Sequence, residues 1–353
     1  MSTPFIRRGA YTALATPFLS DGSLDRAGWK KLVAFQAEQG IDGIVPAGTT
    51  GESPTMSWDE HAEILEDAVN LAGDRCAILA GTGSNSTAEA IEATLDAKRC
   101  GASAALVVDC YYNGPSSLEL RADYYERILD AVSDLPIVPY VIPGRTGCVL
   151  GAEDLAILHA SAPDRVPAVK EATGDLERMR CDRELAGKSL AIFSGDDDMT
   201  VTMMNDPAIG ACGVISVVSN LAPAAVANLV RACEKGDVAT SATLATALAP
   251  LTSLVTVIAP STRTLPDGRT VEVLDKFRNP VATKTMMMGL GMLGPVVRAP
   301  LGFMTAAAVA KCRAGLRTVW ANNPEILHPI EVAFGVSIAA RLSDDAVWSA
   351  LTR

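Results

Sequence analysis

Eight short apolar runs, each followed by a longer amphipathic stretch, constrain this chain more than any other feature of its sequence. The runs are Tyr11–Thr16, Gly43–Ala47, Cys76–Ala80, Ala104–Val108, Pro136–Tyr140, Val166–Lys170, Leu190–Ser194 and Gly213–Val217, spaced about 23–35 residues apart. Near-continuous apolar runs suit parallel strands covered on both faces, and a helix must carry the chain back between consecutive strands. The intervening segments comply. Asp25–Gln39, Ser57–Leu71 and Thr87–Cys100 repeat apolar residues at three- and four-residue intervals, and Ser57 with Glu60 reads as a capping box.

Eight strand–helix units in about 220 residues point to a (β/α)8 barrel, an α/β architecture, with a doubly wound open sheet as the competitor. The barrel is expected over residues 1–235. Residues 236–353 read as a mainly helical C-terminal region, interrupted by a polar, turn-like insert at Ser261–Asn279.

Composition narrows the function classes. A formal net charge of −11 disfavours nucleic acid and anionic membrane surfaces, which basic proteins bind. The uncharged stretches Pro207–Val230 and Val238–Thr262 carry internal proline and many Ser, Thr, Asn or Gly residues, so they read as buried segments rather than membrane spans. The opening residues MSTPFIRRGA lack the apolar core of a secretory signal. The eight scattered cysteines form no CxxC pair and read as reduced, cytoplasmic thiols.

In a barrel the loops after the strands build the active mouth, so polar residues that end strands carry most weight. Those residues are Gly48–Glu52, Tyr111–Asn113, Tyr140 with Arg145, Lys170, and Ser194–Asp197 including Gly195. Of nine lysines, Lys170 alone terminates an apolar strand run. A lysine in a water-poor mouth loses ammonium hydration, which lowers its pKa and frees the amine to attack a carbonyl. The alternative is an ion pair with Glu171. Tyr111, Tyr112 and Tyr140 suit proton shuttling when linked to a hydroxyl such as Thr49, or else pack with capped hydroxyls. The Gly48–Gly51 loop offers N–H groups and hydroxyls to a carboxylate or is simply a turn, and Arg145 offers a fork to a second carboxylate or pairs at the surface.

Other motifs carry less. Gly289–Gly294 matches GxGxxG but follows no strand, and Met286–Met288 reads as core. Asp196–Asp198 reads as loop capping rather than a metal site. His61, His159 and His328 lack ligand spacing, and neither a GxSxG elbow nor a Walker A loop occurs. No metal or organic cofactor is expected.

The segments GAYTALATPF, PAGTTGESPT, AGTGSNSTAEAI, CYYNGPS, YVIPGRTG, VKEATGDL, SGDD and GVISV, with fainter NPVATKTMMMGLG, together resemble the dihydrodipicolinate synthase family of pyruvate-dependent class I aldolases. The resemblance implies that Lys170 forms an imine with pyruvate and that Tyr140 relays protons. Thr49 and Tyr112 would complete a hydroxyl chain, with Tyr112 reaching in from a neighbouring subunit of a homotetramer or dimer. Thr50 with Thr49 would hold the pyruvate carboxylate, Arg145 the carboxylate of L-aspartate 4-semialdehyde, and Ile215 and Gly195 would line the substrate site.

It also implies an L-lysine effector site at Ser53, Trp58, His61, Asn85, Glu89 and Tyr111. Val141 and Gly144 depart from the family pattern, where asparagine and serine are usual. The insert and an extended C-terminus make the chain roughly 50–60 residues longer than typical members. The competing expectation is a sister aldolase acting on a sugar-derived 2-keto acid. Thr49–Thr50, Tyr111–Tyr112 and Arg145 favour the synthase, and a non-catalytic keto-acid-binding barrel is the remaining alternative.

Overall fold

The computed structural model describes residues 3–5 and 7–353. Eight parallel strands close into a barrel: β1 (Gly9–Ala13), β2 (Gly43–Val45), β3 (Ala77–Gly81), β4 (Ala104–Val108), β5 (Ile137–Val141), β6 (Ala168–Glu171), β7 (Ala191–Ser194) and β8 (Gly213–Ser216). Closure is made by β8 against β1, with Gly9 opposite Gly213 and Thr12 opposite Ser216. This excludes the open sheet. The first strand starts and ends earlier than its apolar run. The Ala15 N–H donates to the Asn220 side chain at 2.9 Å rather than to a neighbouring strand, so the ladder stops there.

Alternation along the strands sorts side chains into two cores. Inside the barrel, Tyr11, Val45, Leu79, Leu106, Val138, Tyr140, Phe193 and Ile215 fill the lumen. Tyr11 and Phe193 meet edge to face at 5.4 Å between centroids, and Phe5 packs on both. A Cβ at Gly43 would stand 2.1 Å from the Tyr11 ring, so only glycine lets that ring cross the lumen. Outward residues such as Ile44, Val107, Val141 and Val169 pack beneath the helices.

Those helices form for local reasons. Ser57 caps Trp58–Ala72 through a complete capping box with Glu60, as the sequence predicts. Ser86 caps Thr87–Cys100, and Gly101 ends that helix in the left-handed region.

Beyond the last barrel helix, Pro223–Glu234, come helices Val238–Thr252, Val281–Leu290 and Ala306–Asn322, then short helical turns. The polar insert is not a turn within a helical region. It is part of a two-stranded antiparallel hairpin, β9 (Thr256–Thr264) and β10 (Thr270–Arg278), that begins five residues before the expected insert. Val257, Ala259, Val273 and Phe277 share one face of the hairpin by period-two alternation, and that face is the less exposed one. The LPDGR tip turns the chain with Gly268 at φ +84°.

All ten residues of Val281–Leu290 are buried, including Met286–Met288. In the GxGxxG run that follows them, Gly289 gives room to the Trp348 ring and Gly291 ends the helix at φ +86°. These glycines serve packing and termination. No helix among the described residues is long and apolar enough to cross a membrane.

Candidate active site

Tyr140 and Lys170 are register partners on adjacent strands, so both side chains point into the lumen at its C-terminal end. Lys170 is 4% exposed, and its Nζ lies 4.1 Å from the centroid of the Tyr140 ring. Glu171, one residue on, faces the opposite side and accepts from Arg178 Nε at 3.1 Å. The strand's alternation thus decides against a Lys170–Glu171 pair. No carboxylate approaches Lys170 Nζ within 4.0 Å among the described residues. Burial, opposed by Asp196 and Asp197, lowers the lysine pKa from 10.5 to about 8.

Tyr140 lines a cavity of about 220 Å³ together with Thr49, Tyr111, Ile142 and Arg145. Lys170 is not part of that wall; its ammonium lies against the ring of Tyr140, which is. Burial pushes the Tyr140 phenol up to about 12, while Arg145 and a hydrogen bond with the Thr49 side chain pull it down. Gly195 donates its N–H to Glu171 O at 2.7 Å, and a Cβ there would stand 2.5 Å from Ala172 Cβ and 3.2 Å from Lys170 Cε. Glycine at this position leaves the lysine stem its channel. Ile215 is fully buried in the lumen core.

Asp197 is engaged as a loop cap, as its run predicts: it accepts from Ser216 and from the Val217 and Val218 N–H groups at 2.9 and 3.1 Å.

The loop that carries Thr49 and Thr50 is held from three directions. Its Ala47 and Glu52 both have positive φ, a conformation that non-glycine residues keep only when their surroundings impose it. Thr16 donates to Gly51 O at 2.7 Å, Asn279 Nδ2 donates to the buried Thr50 hydroxyl at 2.8 Å, and Lys284 pairs with Glu52. Lys284 and Glu52 are both fully buried; Lys284 also donates to Thr16 O at 2.9 Å, and Glu52 also accepts from Arg298 N at 3.1 Å. Arg298 in turn forms a bidentate pair with Glu60 at 2.6 and 2.7 Å.

Sequence reasoning missed this group. Its one visible signal is Lys284, a lone charge inside an apolar methionine-rich run, whose partner is 232 positions away.

Arg145 sits in the short helix Pro143–Thr146 and donates through Nη2 to Asn279 O at 2.8 Å. The two departures from the family pattern are both accommodated. Val141 packs outward in the core, and Gly144 has open space around it.

Tyr112 is not brought to the cavity. It is 88% exposed and held at φ +81°. The six expected effector residues form two groups beside the mouth. His61 Nε2 lies 3.1 Å from Ser53 O and its ring meets Trp58 edge to face at 4.8 Å. Tyr111 is hydrogen-bonded by the Asn85 backbone, and it lies near Glu89, which accepts from Ser84 at 2.5 Å. Ser53 and Tyr111 both reach the cavity wall.

Comparison with known proteins places this geometry. A model of the dihydrodipicolinate synthetase family matches residues 7–288. The chain is similar to the 4-hydroxy-tetrahydrodipicolinate synthase of Methanothrix thermoacetophila, at 39% identity over 87% of this chain and 95% of that one. It resembles two solved structures. One is the chloride-inhibited dihydrodipicolinate synthase of Acinetobacter baumannii complexed with pyruvate, with TM-score 0.78 and 33% identity over 89% of this chain and 99% of that one. The other is the lysine-bound enzyme of Cyanidioschyzon merolae, with TM-score 0.76 and 32% identity over 88% of this chain and 98% of that one.

Proposed function

The chain belongs to the dihydrodipicolinate synthetase family, and on that footing we propose how its barrel mouth condenses pyruvate with L-aspartate 4-semialdehyde to give 4-hydroxy-tetrahydrodipicolinate. The enzyme is a lyase of the class I aldolase type, and this reaction is favoured over cleavage of a sugar-derived keto acid. One observation carries the mechanism: a buried, unpaired lysine against a tyrosine that is hydrogen-bonded to a threonine.

The neutral Lys170 amine attacks the ketone carbon of pyruvate. Water leaves and a protonated imine remains. The imine withdraws electrons from the adjacent methyl carbon, which loses a proton to become an enamine. Tyr140 passes protons to and from this adduct through Thr49. The enamine carbon attacks the aldehyde of the second substrate. The amino group of that substrate then adds to the imine carbon, closes the ring and expels Lys170. The Thr49–Thr50 loop holds the pyruvate carboxylate and Arg145 holds that of the semialdehyde, with Ile215 and Gly195 lining the lysine's channel. Tyr112, exposed and turned outward, completes the hydroxyl chain of a neighbouring copy, so the active form is a homo-oligomer.

L-Lysine binds beside the mouth through Ser53, Trp58, His61, Asn85, Glu89 and Tyr111. Glu89 supplies a carboxylate for its ammonium, and Tyr111 joins that site to the cavity. The lysine-bound relative supports this reading.

Borohydride reduction with pyruvate, followed by peptide mass spectrometry, tests the lysine; an adduct on Lys170 is expected, and its absence overturns the mechanism. A condensation assay with aspartate semialdehyde tests the second substrate.

A further inference from the structure

Arg278 is the last residue of β10, and through it the hairpin meets the barrel mouth. Its Nη1 donates to Gly144 O at 2.8 Å, one residue before Arg145. Arg145 Nη2 donates to Asn279 O at 2.8 Å, one residue after Arg278. Two guanidinium groups are thereby laced together, each tied to the backbone of the other's segment.

Arg145 and Arg278, like Arg165 and Arg183, bond backbone carbonyls and no carboxylate, but these two are also set side by side. In this acidic protein, Arg26 pairs with Asp67, Arg121 with Asp154 and Glu126, Arg178 with Glu171, Arg180 with Asp206, and Arg298 with Glu60. Arg145 and Arg278 have no carboxylate within 4.0 Å among the described residues. They repel each other: burial lowers the pKa of Arg145, Tyr140 and the more distant Asp196 oppose that, and Arg278 adds to it. Holding two unpaired cations side by side is unfavourable unless an anion arrives between them.

The anion's source follows from position. Pyruvate bonds to Lys170 deep in the lumen, and its carboxylate has the Thr49–Thr50 loop. Arg145 lines the cavity, and Arg278, exposed and outside that lining, is tied to the residue before Arg145, on the side of the second carboxylate.

We infer that Arg278, delivered by the hairpin, is a second carboxylate-binding residue of the mouth, acting with Arg145 on the carboxylate of the amino-acid semialdehyde. This rests on the reaction proposed above. The hairpin then contributes directly to substrate capture, and Arg278 gives the mouth a charge that Arg145 alone does not supply. Two cations also make the potential met by the substrate's carboxylate locally positive on a protein that is negative overall.

Three variants of the full chain separate charge from scaffolding: Arg278→Met removes the charge and the donor, Arg278→Gln keeps a donor for Gly144 O, and Arg278→Lys keeps the charge. KM for the semialdehyde is expected to rise about three- to tenfold in the Met and Gln variants, as for loss of one partly solvated charge contact, and to recover partly with Lys. KM for pyruvate moves less than twofold. The fall of kcat/KM with added salt becomes shallower in the Met and Gln variants.

An unchanged KM in Arg278→Met overturns the inference. So does a wild-type KM in Arg278→Gln, which would leave Arg278 as a clamp for the Arg145 turn. Borohydride trapping of pyruvate on Lys170 accompanies every variant. Wild-type protein that traps no pyruvate, or does not condense it with the semialdehyde, overturns the parent mechanism and this inference with it. Trapping that persists while the KM prediction fails overturns this inference alone.

Discussion

An Asp196→Asn substitution isolates the electrostatics on which the proposed role of Lys170 as nucleophile depends. The Asp196 carboxylate makes no hydrogen bond among the described residues; its backbone oxygen accepts from Ser194 and Thr200 instead. The amide therefore changes charge with little change of shape. Burial lowers Lys170 from 10.5 to about 8, and Asp196 is the strongest group opposing it. That displacement corresponds to about 3.4 kcal/mol at roughly 1.36 kcal/mol per unit. At pH 7 roughly one amine in ten is neutral, against about one in three thousand for an ordinary lysine, a gain of about 300-fold.

Removing the Asp196 charge removes an attraction on the ammonium, so the lysine pKa falls further, by about half a unit to one unit for a partly solvated neighbour. The assay is the rate of borohydride-trapped pyruvate adduct between pH 5.5 and 10.5. In the wild type the rate should climb with pH and level off near 8. The variant should level off lower and react about three- to sixfold faster near pH 7. Asp196 itself is raised to about 6, chiefly by burial, so the difference should shrink below pH 6 as that carboxylate takes a proton. A wild-type rate that rises unbroken to pH 10, or a variant that levels off above the wild type, refutes the reasoning.

Other substitutions test the scaffold. Lys170→Met should abolish the adduct and raise stability at pH 7 by about 1–3 kcal/mol, because an unpaired buried ammonium is lost. A lysine with a lowered native pKa costs stability fully below about 8 and progressively less up to 10.5. Denaturant titrations should therefore show the Met advantage fading across that window. Lys284→Met or Glu52→Gln alone should destabilise by about 3–5 kcal/mol, since each strands its buried partner, while the double variant recovers a large part. Denaturant midpoints check this, and additive losses would contradict it. Mixing Lys170→Ala with Tyr112→Phe protein, then dissociating and reassociating the subunits, should restore activity if Tyr112 serves a neighbouring copy. Activity no higher than that of the parents would place Tyr112 outside the site.

Much of the candidate site was legible because its signals are local. Lys170 stands out as a charge ending an apolar strand, and strand alternation alone aims it inward and Glu171 outward. Thr49 follows the second run and Tyr140 ends the fifth, and the side-chain pattern of a barrel brings such ends to one rim. The hairpin was less legible. Its period-two pattern is diluted by Ser261, Arg263 and Asp275 on the less exposed face and broken by Pro260.

The residues in order along the chain thus set the strand–helix rhythm, the eight units and the candidate nucleophile, since period and polarity act within a few residues. Tertiary structure decided that the sheet closes through Gly9 and Gly213, and that Lys284 braces the Thr49 loop across 232 positions. It also decided that Asn279 and Arg278 reach the mouth at all. The physical reason is that a buried charge or amide takes whatever partner packing brings within about 3 Å, and separation along the chain carries no record of that distance.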